Sequence, residues 1–232
     1  NINKNNRLEL YAIGAPQRHG QNLYKQNMGV YSEEYAKDQD DYDQAALEKF
    51  PEANSGQLYN QNWSFVDYNY FGSQYWNGNK HSRYSQDIIN ERENYYHKPQ
   101  VNLNWYHQYN KDLSQYTILY YSGGTGGGTG TYGSVKYNYS LEPTRIVDYN
   151  ATIAQNMESD TAKGILRNST NNQNTVGLIS KLTYNVNENL KTQIGLDVRT
   201  AKIEHFREVR DLLGGKFFYF DGNEFDNGEE YN

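Results

Sequence analysis

The sequence predicts an all-β fold: antiparallel strands of a large transmembrane β-barrel with long extracellular loops, of which this chain supplies a partial barrel of about five strands. Three observations carry the expectation. Apolar and polar residues alternate with period two in several segments, which gives a strand one apolar and one polar face. Only 36% of the 232 residues are hydrophobic and the mean hydropathy is -1.02, so few aliphatics are available for a large soluble core. Short turns alternate with long polar excursions, an asymmetry usual in outer-membrane barrels and unusual in a compact soluble domain. Lipid outside and water inside suit strands with opposed faces, because only a closed sheet satisfies every backbone group in a bilayer.

In chain order, Leu8, Leu10 and Ala12 alternate with Arg7, Glu9 and Tyr11 up to Gly14, which predicts a first strand. Ala15 to about Asn94 is one long polar stretch, broken by a short helix at Tyr42–Phe50. That helix takes Asp41 or Asp43 as cap and Ala45, Ala46, Leu47 and Phe50 as its apolar side, and Pro51 stops it. Val101, Leu103 and Trp105 alternate with Asn102 and Asn104 in a second strand, and Tyr116–Ser122 forms a third. Its outward phase is ambiguous, because Tyr116, Ile118 and Tyr120 compete with Leu119 and Tyr121. The fourth and fifth strands carry Val176, Leu178, Leu182, Tyr184 and Val186, then Leu190, Ile194, Leu196 and Val198, on one face. Asn110-Lys-Asp-Leu-Ser and Asn187-Glu-Asn-Leu-Lys are the matching short turns, while Gly123–Asn174 and Glu204–Asn232 are long excursions. Pairing Val186 with Leu190 keeps the two apolar sets together.

Composition removes several function classes. With a formal net charge of -6 the chain has no basic stripe for phosphates, so nucleic acid is not an expected partner. The absence of cysteine rules out a disulfide framework, a cysteine nucleophile and a thiolate metal site. Tyrosine, with 24 copies against 8 Phe and 3 Trp, must do much of the burying, and it suits places where one end of a ring is apolar and the other wet. No convergent nucleophile, base and electrophile can be nominated, so no catalytic residue, metal ligand or cofactor is assigned and the chain is not read as an enzyme. The tract Ser122–Gly130 lacks the Gly-Lys-Ser/Thr of a phosphate loop and reads as a flexible or close-packed junction of strand and loop. The acidic clusters Asp38–Asp43 and Asp221–Glu230 lack calcium-loop spacing and read as solvated.

Three segments, Gly14-Ala-Pro-Gln-Arg-His-Gly-Gln21, Asn94-Tyr-Tyr-His-Lys-Pro99 and Ser122-Gly-Gly-Thr-Gly-Gly-Gly-Thr-Gly130, resemble the barrel region of TonB-dependent outer-membrane receptors of the Bacteroidetes type. The likeness runs over roughly residues 7–205. It implies a barrel of about 22 strands in the cell outer membrane, importing a scarce nutrient such as a ferric siderophore, a vitamin or an oligosaccharide. Energy would come from TonB, ExbB and ExbD through a plug domain that these residues do not contain, so residues 1–232 are expected to be part of the barrel alone. The partners implied are membrane lipid and the nutrient. A secreted all-β module that binds glycans on tyrosine and tryptophan is the competing reading.

Candidate ligand-binding residues follow from position and chemistry. Arg18 and His19 sit just beyond the first strand, where a cation and an imidazole meet an anionic ligand or the plug. Tyr59, Trp63, Tyr70, Tyr75 and Trp76 crowd the long polar stretch and are expected either to line an external vestibule or to stack on one another.

Overall fold

The alternating segments form strands, and most of them run further than the sequence pattern does. In this computed structural model, which describes residues 3–22, 24–25, 27–45, 56–138, 146–222 and 228–231, the strands in chain order are β1 (Asn6–Ile13), β2 (Gln17–Gly20), β3 (Trp63–Phe65), β4 (Gln74–Trp76), β5 (Asn79–His81), β6 (Ile88–Asn90), β7 (Glu93–His97), β8 (Gln100–Gln108), β9 (Leu113–Gly133), β10 (Tyr137–Asn138), β11 (Ile146–Val147), β12 (Gly164–Asn187), β13 (Leu190–Asp211), β14 (Phe218–Phe220) and β15 (Glu229–Tyr231). Three helices join them: α1 (Met28–Tyr31), α2 (Glu33–Lys37) and α3 (Tyr149–Met157). The fold is all-β with antiparallel sheets. A main sheet has the order β1-β8-β9-β12-β13, with β7 bonded to β2 and β9, and four two-stranded sheets accompany it.

Proline sets the breaks in the main sheet. Pro16 separates β1 from β2 and Pro99 separates β7 from β8, because a residue without an N–H interrupts a ladder. The Pro99 carbonyl still accepts from the Gly123 N–H at 2.8 Å, which holds β9 in line across the break. The glycine tract is part of β9 and close-packed: a Cβ on Gly126 would lie 2.7 Å from the Tyr95 carbonyl oxygen and 2.8 Å from the Tyr96 Cβ, so only glycine fits there.

The chain divides into two compact units. The first comprises Asn1–Arg18, Tyr95–Gly127 and Thr170–Phe206, and the second His19–Asn94, Gly128–Ser169 and Arg207–Asn232. The first is almost pure sheet, with short turns shaped by asparagine. The Asn110 side chain accepts from the N–H groups of Asp112 and Leu113, both at 2.9 Å, and Asn187 accepts from the Asn189 N–H at 2.9 Å. Both are Asx turns, which is why Asn opens each of the two matching pentapeptides.

The second unit corrects the expectation of long structureless excursions. Ala15–Asn94 contains β2 to β6 and the start of β7, while Gly123–Asn174 and Glu204–Asn232 hold the continuations of β9, β12 and β13 with β10, β11, β14, β15 and α3. Short turns conceal these elements from a periodicity reading, since strands of two or three residues show no repeat. Of the predicted helix at Tyr42–Phe50, residues 46–50 lie outside the described residues; the Asp43 carboxylate accepts from the Ala45 N–H at 3.0 Å. Ser32 caps α2 by accepting from the Tyr35 N–H, with Glu33 and Glu34 in the first turn and Lys37 in the last.

A small core of Val66, Ile89, Val135, Val147, Tyr149, Ile153, Leu166 and Leu213 holds this unit. Its polar hub is Asn156 on α3, fully buried. The Asn156 Nδ2 donates to the carbonyls of Gly164, Leu212 and Leu213 at 2.8–3.1 Å, and its Oδ1 accepts from the N–H groups of Lys163 and Gly164. One amide thus ties the start of β12 to the turn after β13. Replacing Asn156 with Ala should destabilise this unit by at least about 2–4 kcal/mol, because several buried backbone groups lose partners together. Hydrogen exchange that accelerates at Lys163 and Gly164 would verify it; unchanged protection would refute it.

Candidate lipid-facing surface and ligand site

Strand register in the first unit decides which side chains share a face. Leu8 pairs with Trp105, Leu10 with Leu103 and Ala12 with Val101. Across the next ladder Trp105 pairs with Thr117, Leu103 with Leu119 and Val101 with Tyr121. The ambiguity of the third strand is thereby resolved: Leu119 and Tyr121 belong to the apolar face, and Tyr116, Ile118 and Tyr120 to the other.

Side-chain contacts carry the same parity through the remaining strands. The Thr117 and Ser180 hydroxyls are hydrogen-bonded at 2.9 Å, which puts Ser180, and with it Leu178 and Leu182, on the apolar side. The opposite side of that ladder is fixed by Tyr120, whose ring occupies the space a Cβ on Gly177 would need. The Gln193 Nε2 donates to the Thr183 Oγ1 at 3.2 Å, placing these two polar residues together and Ile194 with Leu182. The apolar face is open: Leu10 is 69% exposed, Ile194 70% and Leu196 57%. Every buried hydrophobic residue among the described residues belongs to the second unit.

The opposite face is polar and tyrosine-rich. The Arg7 guanidinium lies 4.1 Å from the centre of the Tyr106 ring and pairs with Glu9 at 3.1 Å, and Tyr106 stacks on Tyr116 at 4.5 Å. On the apolar side near the short turns, Trp105 donates through Nε1 to the Asn6 Oδ1 at 3.2 Å and stacks on His107.

The predicted ligand residues separate into different environments. Arg18 and His19 both lie on β2, exposed. In the second unit Trp63 is exposed on β3, with the Tyr84 ring 6.4 Å away, and Tyr75 is exposed on β4 with its carbonyl held by the Asn168 Nδ2 at 3.0 Å. Tyr59 is half-buried in the approach to β3. Trp76 stacks on His81 at 3.3 Å and carries the Arg210 guanidinium 4.0 Å from its ring centre. Tyr70 is packed against the core. Its hydroxyl donates to the Asp211 carboxylate at 2.7 Å and accepts from the Gly214 N–H at 3.1 Å, so this ring is tied into the fold. Trp63 and Tyr75 are the rings left open to a ligand; Tyr70 and Trp76 have protein partners.

Sequence reasoning passed over the charged centre of this unit. Arg210 is 2% exposed, donates to Glu93 at 2.8 Å and to the Gln74 side-chain oxygen at 3.2 Å. Its neighbour Asp211 is wholly buried, with Oδ1 bound to Tyr70 and the Leu213 N–H. Burial pushes the Asp211 carboxyl above the ordinary carboxylate range, against the lowering effect of the Tyr70 hydroxyl, and burial followed by the Asp211 charge pushes the Tyr70 hydroxyl up. Nothing in an Arg-Asp pair at the end of a polar strand marks it as buried. Among the described residues no group of three His, Asp or Glu side chains is arranged to hold a metal ion; residues 223–227 of the second acidic cluster lie outside them.

No protein-family model, curated protein or solved structure matches this chain.

A buried carboxyl whose pKa is raised in the folded state makes stability pH-dependent. The folded unit retains a proton that the unfolded chain releases near the ordinary Asp value, so the contribution of Asp211 is fully present below about pH 4 and declines as pH rises toward its raised value. Asp211→Asn keeps an acceptor for Tyr70 and should abolish that decline, whereas Tyr70→Phe strands a buried acceptor and should cost about 1–3 kcal/mol. Denaturation of both variants between pH 4 and 8 measures this; an unchanged pH dependence in Asp211→Asn would contradict it.

Proposed function

We propose that the chain is a segment of an outer-membrane receptor of the TonB-dependent type, taking up a scarce nutrient such as a ferric siderophore, a vitamin or an oligosaccharide. The reading is supported above all by the first unit: a sheet whose one face is apolar and exposed across five strands, with no buried apolar residue among its described residues. In water such a surface is unfavourable over this extent, while lipid is its natural solvent. Leu190 to Val198 covers about 26 Å at roughly 3.3 Å per residue, comparable with the roughly 25 Å apolar band of outer-membrane barrels. Trp105, Tyr109 and Tyr184 near the short turns fit an aromatic girdle at the membrane boundary.

Strand length points the same way. β9, β12 and β13 have 21, 24 and 22 residues, about twice the roughly 9–11 that a tilted strand needs to cross a bilayer. On this reading their first-unit portions cross the membrane. The polar face with Arg7, Tyr106 and Tyr116 looks onto the lumen, energy arrives from TonB, ExbB and ExbD through a plug region, and the segment serves transport only as part of the whole receptor. Arg18, His19, Trp63 and Tyr75 then stand as the cargo-facing candidates, with Tyr59 and Trp76 behind them. Substituting Trp63 and Tyr75 together with Ala should weaken cargo uptake at least severalfold with the receptor still inserted; uptake at the parental level would remove them.

The lipid face is tested directly. An arginine there near the bilayer midplane costs roughly 2–4 kcal/mol and far less in a wet lumen. Leu182→Arg or Ile194→Arg in the full-length protein should sharply lower the amount of folded barrel in membranes, while Thr183→Arg and Gln193→Arg are tolerated. Equal tolerance at all four positions would overturn the membrane reading in favour of a secreted glycan-binding module.

A further inference from the structure

Three guanidinium groups of the second unit converge on a position that has no side chain. A Cβ built on Gly130 of β9 would lie 3.4 Å from an Arg92 Nη1 and 3.9 Å from an Arg167 Nη2, so any group placed there meets the ends of two flexible cations. The third, Arg207 of β13, has its guanidinium 5.7 Å from the centre of the Tyr132 ring, two residues further along β9 and so on the same face as Gly130. Charge compensation is thin. Glu91 pairs with Arg92 at 3.6 Å, and its Oε1 also accepts from the Thr131 hydroxyl. Arg167 donates to the Ser169 hydroxyl. The Nε atoms of Arg92 and Arg167 are buried and without a hydrogen-bond partner among the described residues. Arg210 stands apart, its charge matched by Glu93. Burial, and after it the positive charges of Arg207 and Arg92, pulls the Arg167 pKa below its ordinary value, the sign of unrelieved repulsion.

We propose that Arg92, Arg167 and Arg207 form a binding site for a compact oxyanion, a carboxylate or phosphate group, seated over Gly130. Guanidinium forks match such groups in bidentate fashion, and an anion there would satisfy unpartnered donors and remove the mutual repulsion in one step. The site itself stands on the second unit alone; that the anion belongs to imported cargo rests on the receptor reading.

The test uses the purified full chain in detergent micelles, titrated with inorganic phosphate and with citrate at constant ionic strength, with chloride as control. At least one oxyanion should bind saturably, and Arg167→Gln should weaken it about tenfold or more, with Arg207→Gln weakening it severalfold. Gly130→Asp sets a carboxylate among the three cations and should abolish binding of the added anion while raising thermal stability, which guards against a variant that merely misfolds. Preference for citrate assigns a carboxylate ligand, and preference for phosphate a phosphorylated one. If neither anion binds above the chloride background, or the three variants bind as the parent does, the site is refuted. Loss of anion binding with Leu182→Arg still harmful to insertion removes the site alone, whereas anion binding that persists with Leu182→Arg tolerated removes the receptor reading alone.

Discussion

Everything in the first unit depends on the parity of strand pairing. Because side chains alternate with period two, a slip of one residue between any two strands would carry Leu178 and Leu182 to the side of Tyr120 and bring Lys181 to the side of Leu119. The register is therefore held at several independent points. The Asn110 and Asn187 turns fix where the strands reverse, the Asn185 N–H is bonded to the Asp112 carbonyl at 2.8 Å, Thr117 grips Ser180, and Tyr120 lies across Gly177. Small polar residues and one glycine do the aligning, and the aliphatics are left free to face outward.

The two units reach order by different means. The sheet of the first relies on backbone ladders and cross-strand pairs and, among the described residues, buries no large apolar side chain. The second builds a core of eight residues and surrounds it with buried amides and charges: Asn156 tying backbone segments, Arg210 matched by Glu93, and Asp211 held by Tyr70. Such a network is favourable only while each member keeps its partner, since a stranded buried group costs more than the bond contributes. A chain with few aliphatics and abundant Tyr, Asn and Gln can build this kind of interior.

The sequence made the first unit legible because its signal is local: alternation in Leu8–Ala12, Val101–Trp105 and Val176–Val198, and asparagine at the turns. The phase of Tyr116–Ser122 was not legible, since both faces carry rings and only pairing with Val101 and Leu103 separates them. In the second unit the strands are too short to show a period, and what stabilises them comes from afar: Tyr70 meets Asp211, and Asn168 meets both Tyr75 and Glu208. The crowd of aromatic residues in the long stretch was visible, but the division between rings that serve the fold and rings that stay open depends on those distant partners. The glycine tract was read as a flexible or close-packed junction of strand and loop; that it instead continues a strand was hidden, because glycine has no propensity to display.

Five strands, each antiparallel to the next, leave the two outermost, β1 and β13, running in the same direction. Both have exposed side chains along most of their length. Two copies laid side by side in the same orientation would have to join β13 of one to β1 of the other in parallel, against the hydrogen-bond geometry of every other ladder in the sheet. Antiparallel joining requires like to meet like, β1 with β1 or β13 with β13, about a two-fold axis. Self-association of the isolated sheet is thereby directed toward symmetric pairs and away from an open-ended head-to-tail array.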